Sequence, residues 1–95
     1  MKVTRETVVI GKLTSFKEIK GSEHSYYAIV SCIGLDSSIT FTKSLQVWQE
    51  TDWPEPGDYV ALSMIKFRDS GPRACRARFA TSDEITVYED IGNVL

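Results

Sequence analysis

The sequence predicts a single all-β domain, a small five-stranded antiparallel barrel with one short helical turn and a C-terminal extension. Three observations predict it. Five segments rich in β-branched and aromatic residues are separated by short polar turns. Helical periodicity is nearly absent from the same stretch. The chain is 95 residues long, enough for one small core and too short for two. Five short strands at this length favour a barrel over a sandwich.

The first strand is expected over Thr7–Ile19, where Val8, Val9, Ile10, Leu13 and Phe16 stand among threonines. Gly11 within it marks a bulge or a close backbone approach. Phe16 shares parity with Val8 and Ile10, which assigns it to the core. The polar turn 20–25 carries the single histidine, His24, and leads to a second strand over Tyr26–Ile33. Tyr26 and Tyr27 point to opposite faces of that strand, so one should pack and one remain available. Gly34-Leu-Asp-Ser37 turns the chain into a third strand, Ser38–Thr42. Ser44 is placed to cap one helical turn over Leu45–Glu50. Trp48 is compatible with the barrel's end or with the surface, whereas Trp53 is expected to plug the end and stack on Pro54.

Pro54-Glu-Pro56-Gly57-Asp58 forms a rigid turn: two prolines fix φ and remove donors, glycine permits a positive φ, and the aspartate bonds nearby backbone. The fourth strand follows over Tyr59–Phe67, and Asp69-Ser-Gly-Pro72 turns it back. From Arg73 to Phe79 a period of two puts Cys75, Ala77 and Phe79 on one face and Ala74, Arg76 and Arg78 on the other. This last hairpin should therefore expose a cationic side. Residues 1–81 make up the barrel and 82–95 the extension. Ile85, Val87, Ile91, Val94 and Leu95 are too apolar for a free tail, so the extension should add a strand or pack on the barrel. That would bring Asp83, Glu84, Glu89 and Asp90 near the basic hairpin.

Net charge is −2, but its distribution is blocked: +2 over residues 1–48, −4 over 49–58, +4 over 59–78 and −4 over 79–95. Lys66, Arg68, Arg73, Arg76 and Arg78 supply the second positive block. A basic strand face either keeps a sheet edge soluble or meets phosphate. Enzymatic readings find little in the sequence. His24 lies beside Glu23 and Ser25 on one turn, which does not create the convergent geometry of a triad. Two separated cysteines and one histidine match no structural zinc site, and no phosphate-binding glycine loop or dinucleotide fingerprint is present. No cofactor is expected. The chain has no apolar run of membrane-spanning length, and its first residues lack the apolar core of a signal peptide, so a cytoplasmic protein with free thiols at Cys32 and Cys75 is expected.

The order of these motifs resembles the cold-shock domain, a barrel of the oligonucleotide-binding type. Gly57-Asp58 before an alternating strand, and Gly71-Pro72-Arg73-Ala74 opening the last one, carry the likeness most strongly. Gly11–Lys17 is similar to that family's first strand, Ser25–Val30 to its second and Ser38–Ser44 to its third, so the resemblance spans residues 10 to 80. It implies single-stranded RNA or DNA held by stacking rings and a positive surface. At the family's aromatic places this chain has Tyr26 first, then Tyr27 in place of glycine, then Ala28, Thr40, Thr42 and Lys43, with Ser15 where a tryptophan is usual. Stacking should therefore contribute less and charge more. On this basis Tyr26 and Trp48 are candidate stacking residues, beside Phe16, Tyr27 and Trp53. Lys12, Lys17, Lys43, Arg76 and Arg78 are candidate phosphate partners, and Thr40 and Thr42, with Thr14, could offer hydroxyls. The alternative is a protein-interaction or self-associating barrel that has lost nucleic-acid binding, since Tyr, Trp and Arg also dominate protein hot spots.

Overall fold

The computed structural model describes residues 8–19, 21, 25–32, 38–69 and 71–94. The expected turns at 20–25 and 34–37, with His24, fall largely or wholly outside the described residues. Five strands form one sheet: β1 (Val9–Glu18), β2 (Tyr26–Cys32), β3 (Ile39–Thr42), β4 (Tyr59–Arg68) and β5 (Gly71–Phe79). The sheet closes in a ring in the order β1, β2, β3, β5, β4 and back to β1. All contacts are antiparallel except β3 with β5, which meet in parallel at Thr40 and Arg73. A helix, α1 (Ser82–Val94), follows.

The core fills the ring. Leu13, Ala28, Val30, Ile39, Phe41, Trp48, Val60, Leu62, Ala74 and Ala77 are buried within it. Small residues allow the walls to approach: a Cβ on Gly11 would lie 2.5 Å from a Val30 methyl carbon, 2.6 Å from the Cys32 sulfur and 2.8 Å from the Ser31 carbonyl oxygen. Gly11 is thus a close approach, as one of its two readings required. The bulge falls three residues later, where the β1–β2 register shifts between Leu13 and Ser15 and Thr14 donates its hydroxyl to the Ile29 carbonyl (2.9 Å). That extra residue reverses the parity of β1. Val9, Gly11 and Leu13 face inward before it, and Phe16, opposite Ala28, faces inward after it. Phe16 packs against the core, but not through shared parity with Val8 and Ile10, whose side of the strand faces out.

A second irregularity corrects the expected faces of β5. Met64 has φ of 52°, a left-handed conformation rare in a strand. Around it Leu62 and Ile65 are both buried, three residues apart, and so are their β5 partners Ala77 and Ala74. In and out therefore exchange at Met64 and Cys75, and Ala74 belongs to the core, not beside Arg76 on the exposed face. The hairpin also turns more tightly than expected, since Gly71 and Pro72 already pair with Arg68 and Phe67.

The segment after β3 makes one hydrogen-bonded turn, with the Val47 and Trp48 amides donating to the Ser44 carbonyl, and no longer helix. It then joins β5 through Ala77 N to Val47 O (3.0 Å) and Gln49 N to Ala77 O (2.9 Å). The proline turn is stapled to β1: Gly57 N donates to Leu13 O (2.8 Å), Leu13 N to Asp58 O (2.9 Å), and the Asp58 carboxylate accepts from Glu55 N (2.8 Å).

The C-terminal extension is a helix that packs on the sheet, not an added strand. Thr81 and Glu84 cap it reciprocally: Glu84 N donates to Thr81 Oγ1 (3.2 Å) and Thr81 N to Glu84 Oε1 (2.9 Å). Tyr88 meets Tyr59 edge-on at 5.3 Å, and burial raises the Tyr88 pKa. Ile10, Ala61 and Arg78 form a cross-strand row on the outer side of β1, β4 and β5. Against this row α1 lies, leaving a shallow apolar groove bordered by Val8, Ile10 and Val87.

Candidate nucleic-acid interface

Among the described residues, α1 covers only the side of the sheet that carries Ile10, Ala61 and Arg78. Beyond the bulge, the outward residues of β1, β2 and β3 align in two rows by register. Lys17, Tyr27 and Thr42 form one. Ser15, Ile29, Thr40, Arg73 and Lys66 form the other, which crosses all five strands. At about 4.8 Å per strand this second row spans about 19 Å. Lys17, Lys66 and Arg73 are exposed, and neither row contains a carboxylate. The surface is a shallow strip with cations at both ends and hydroxyls and one tyrosine between them. Arg76, also exposed, continues β5 on the outward side opposite Ser63. Phe67, 68 % exposed between Lys66 and Arg68 and paired with Pro72, stands near the tip of the hairpin.

A different group gathers at the open mouth of the ring. Phe41 and Lys43 share parity, so Lys43 sits where the chain leaves the core, its amide bonded to the Tyr26 carbonyl (2.8 Å). A column of rings runs outward beside it: Phe41 stacks on Trp48 (5.9 Å between centroids, 10° between planes) and Trp48 on Trp53 (6.5 Å, 22°). Phe79 meets Trp48 edge-on at 4.9 Å, and the indole N–H of Trp48 donates to the Asp52 carbonyl (2.7 Å). The ammonium of Lys43 lies over three rings, 4.9 Å from the centroid of Phe16, 5.3 Å from Trp53 and 5.8 Å from Tyr26.

The structure thus distributes the residues singled out in the sequence over several places. Lys17, Thr40 and Thr42 come together on the open strip, and Tyr26 and Lys43 meet at the mouth. Tyr27, outward and half-buried, stands in the strip while Tyr26 is 37 % exposed at the mouth, so both tyrosines are partly accessible where only one was expected. Lys12 lies apart, over the Tyr59 ring (5.7 Å) at the border of the helix-covered side. Trp48 is 1 % exposed, stacked with both Phe41 and Trp53 and met edge-on by Phe79, and offers no face to a base. It is the plug, and Trp53, expected in that role, is the exposed ring.

Arg78 is occupied. Its guanidinium grips Glu84 with two bonds (2.8 and 3.0 Å) and donates a third to the Phe79 carbonyl (3.1 Å). The Arg78 hydrogen bond pulls the Glu84 pKa to about 2, and the same bond raises that of Arg78. Burial lifts the Cys32 thiol to about 11, which keeps it protonated and unreactive at neutral pH. Sequence reasoning did not single out Arg73 and Lys66 within the basic block. Their signal was the outward parity opposite Thr40, readable only once the β3–β5 contact is known. Among the described residues no group of three His, Cys, Asp or Glu side chains is placed to hold a metal ion. No described helix is long and apolar enough to cross a membrane.

No model of a known protein family matches this sequence, and neither the curated proteins nor the solved structures provide a match.

Proposed function

We propose that this protein is a non-enzymatic module that binds single-stranded nucleic acid along the strip that crosses β1, β2, β3, β5 and the end of β4, on a ring of the oligonucleotide-binding, cold-shock-like type. The observation that carries the reading is the five-strand row from Ser15 to Lys66 together with Lys17, Tyr27 and Thr42: cations, hydroxyls and an aromatic ring, free of carboxylates, on the side of the sheet away from α1. The strand order and the parallel β3–β5 closure support the fold part of this reading. Lys17, Arg73, Lys66 and Arg76 meet the phosphates, Tyr27 stacks on a base, and Thr40 and Thr42 bond sugar or base edges. A strip with hydroxyls in its centre suits RNA, whose 2′-OH both donates and accepts.

The test is a titration of labelled single-stranded RNA and DNA oligomers at several salt concentrations, with light scattering on the same samples. The four phosphate contacts on the strip contribute about −3 to the log–log salt slope, at about 0.7 per contact for single strands. Substituting Lys17 or Arg73 by alanine should flatten it by about one contact each. Phe67, exposed near the hairpin tip, favours a second reading in which the barrel binds protein or a second copy of itself. A salt-insensitive dimer that ignores oligomers and dissociates on Phe67→Ser would establish that reading in place of the first.

A further inference from the structure

Three aromatic rings from three separate parts of the chain converge on one ammonium at the mouth of the ring. Phe16 comes from β1, Tyr26 from β2 and Trp53 from the segment before β4. Each is placed by a different device: Phe16 by the Thr14 bulge, Tyr26 by its carbonyl bond to Lys43, and Trp53 by its stack on the buried Trp48, whose indole holds the Asp52 carbonyl. Such a cage is built before any ligand arrives. Lys43 has no carboxylate partner among the described residues, and its ammonium is set against ring faces instead. Ring faces attract an ammonium less strongly than a phosphate does.

We propose that the mouth is a nucleobase subsite stoppered by Lys43. When a strand lies on the adjoining strip, one of its phosphates draws the ammonium off the rings, and the neighbouring base takes its place on Trp53 and Tyr26. The subsite rests on the nucleic-acid reading and extends it, for it couples a charge contact to a stacking contact through one side chain. The ligand is a base joined to a backbone phosphate, at or next to the end of the bound segment. A free nucleoside, lacking the phosphate, leaves the stopper in place.

The consequence is a distinctive salt dependence. Lys43→Ala deletes one phosphate contact, which matters most at low salt, and also clears the rings, which matters at every salt concentration. Its binding line should therefore be flatter than that of the unaltered protein by about 0.7 in log–log slope and should cross it, weaker at low salt and tighter at high salt. Trp53→Ala should weaken binding several-fold at all salt concentrations and leave the slope unchanged.

The experiment uses single-stranded oligomers carrying one 2-aminopurine, whose emission falls on stacking, with the full chain and the Lys43→Ala, Trp53→Ala and Lys17→Ala variants. Circular dichroism confirms that each variant is folded. Crossing lines for Lys43→Ala, with base quenching retained there and lost in Trp53→Ala, support the subsite. If the unaltered protein binds and Lys17→Ala flattens its slope, while Lys43→Ala runs parallel to it and Trp53→Ala quenches normally, the subsite is overturned and the strip stands. Failure of the unaltered protein to bind any oligomer at low salt overturns both.

Discussion

Trp48→Ala should be among the most damaging single changes in this domain. The indole is 1 % exposed, stacks with Phe41 and Trp53, meets Phe79 edge-on, and donates to the Asp52 carbonyl at 2.7 Å. A buried tryptophan removes about 150–250 Å² from water, worth about 4–6 kcal/mol at about 25 cal/mol/Å², an upper bound because the unfolded chain buries part of it already. Large-to-alanine changes in cores cost about 3–5 kcal/mol, so we expect about 4 kcal/mol. A domain of this size holds on the order of 5–15 kcal/mol, which leaves the variant marginal. Trp48→Phe keeps a ring in the column and loses the hydrogen bond, for about 1–2 kcal/mol. Chemical denaturation followed by far-UV circular dichroism measures both. A loss below about 1 kcal/mol for Trp48→Ala would refute the reasoning, because it would mean that the ring does not close the end of the core.

Other consequences follow from local geometry. Gly11→Ala pushes a Cβ to 2.8 Å from a backbone carbonyl that cannot swing aside, and should cost about 1–3 kcal/mol, read as a lower denaturation midpoint at unchanged slope. Met64→Val places a β-branched residue at φ of 52° and should destabilise by about 1–2 kcal/mol, although valine is the better strand former; a gain in stability would show that Met64 has ordinary strand backbone. The depressed Glu84 pKa of about 2 means that the Arg78–Glu84 pair contributes fully above about pH 4.5 and is lost as pH falls towards 2. Both side chains are partly exposed, so this contribution is about 1 kcal/mol. Stability of the unaltered protein should fall more steeply between pH 5 and 2 than that of Glu84→Gln, and equal slopes would rule out the pair as a stabiliser.

Most of the sheet was readable because each strand carries its own signal. The strands begin and end within about two residues of where β-branched runs and turn residues placed them. What was not readable arises where one backbone feature changes the meaning of every residue after it. The Thr14 bulge and the Met64 conformation each reverse inside and outside. Parity counted from Val8 or Phe79 therefore misplaced Ala74, and reached the right side for Phe16 by the wrong route. The extension was legible as a segment that adds a strand or packs on the barrel, from Ile85, Val87, Ile91, Val94 and Leu95; its helix was missed, although Thr81-Ser-Asp-Glu84 is a capping box with an acidic first turn.

The candidate site was legible as a list of residue types and not as a place. Basic and hydroxyl side chains were visible, but their sorting depends on tertiary contacts. Arg76 and Arg78 look equivalent two residues apart, and only the docking of α1 takes Arg78 into a pair with Glu84. Trp48 and Trp53 look equivalent too, until the ring column shows which is core and which is surface. Arg73 and Lys66 join Thr40 only through the parallel β3–β5 contact.

The central claim is that the two cross-strand rows away from α1 carry nucleic acid, and amide chemical-shift mapping tests it most directly. An isotope-labelled protein titrated with a short single-stranded RNA at low salt should show shifts at Lys17, Tyr27, Ile29, Thr40, Thr42 and Arg73, with little change along α1 or at Ile10 and Ala61. Shifts concentrated on α1 and its groove, or none at saturating oligomer, would contradict the account.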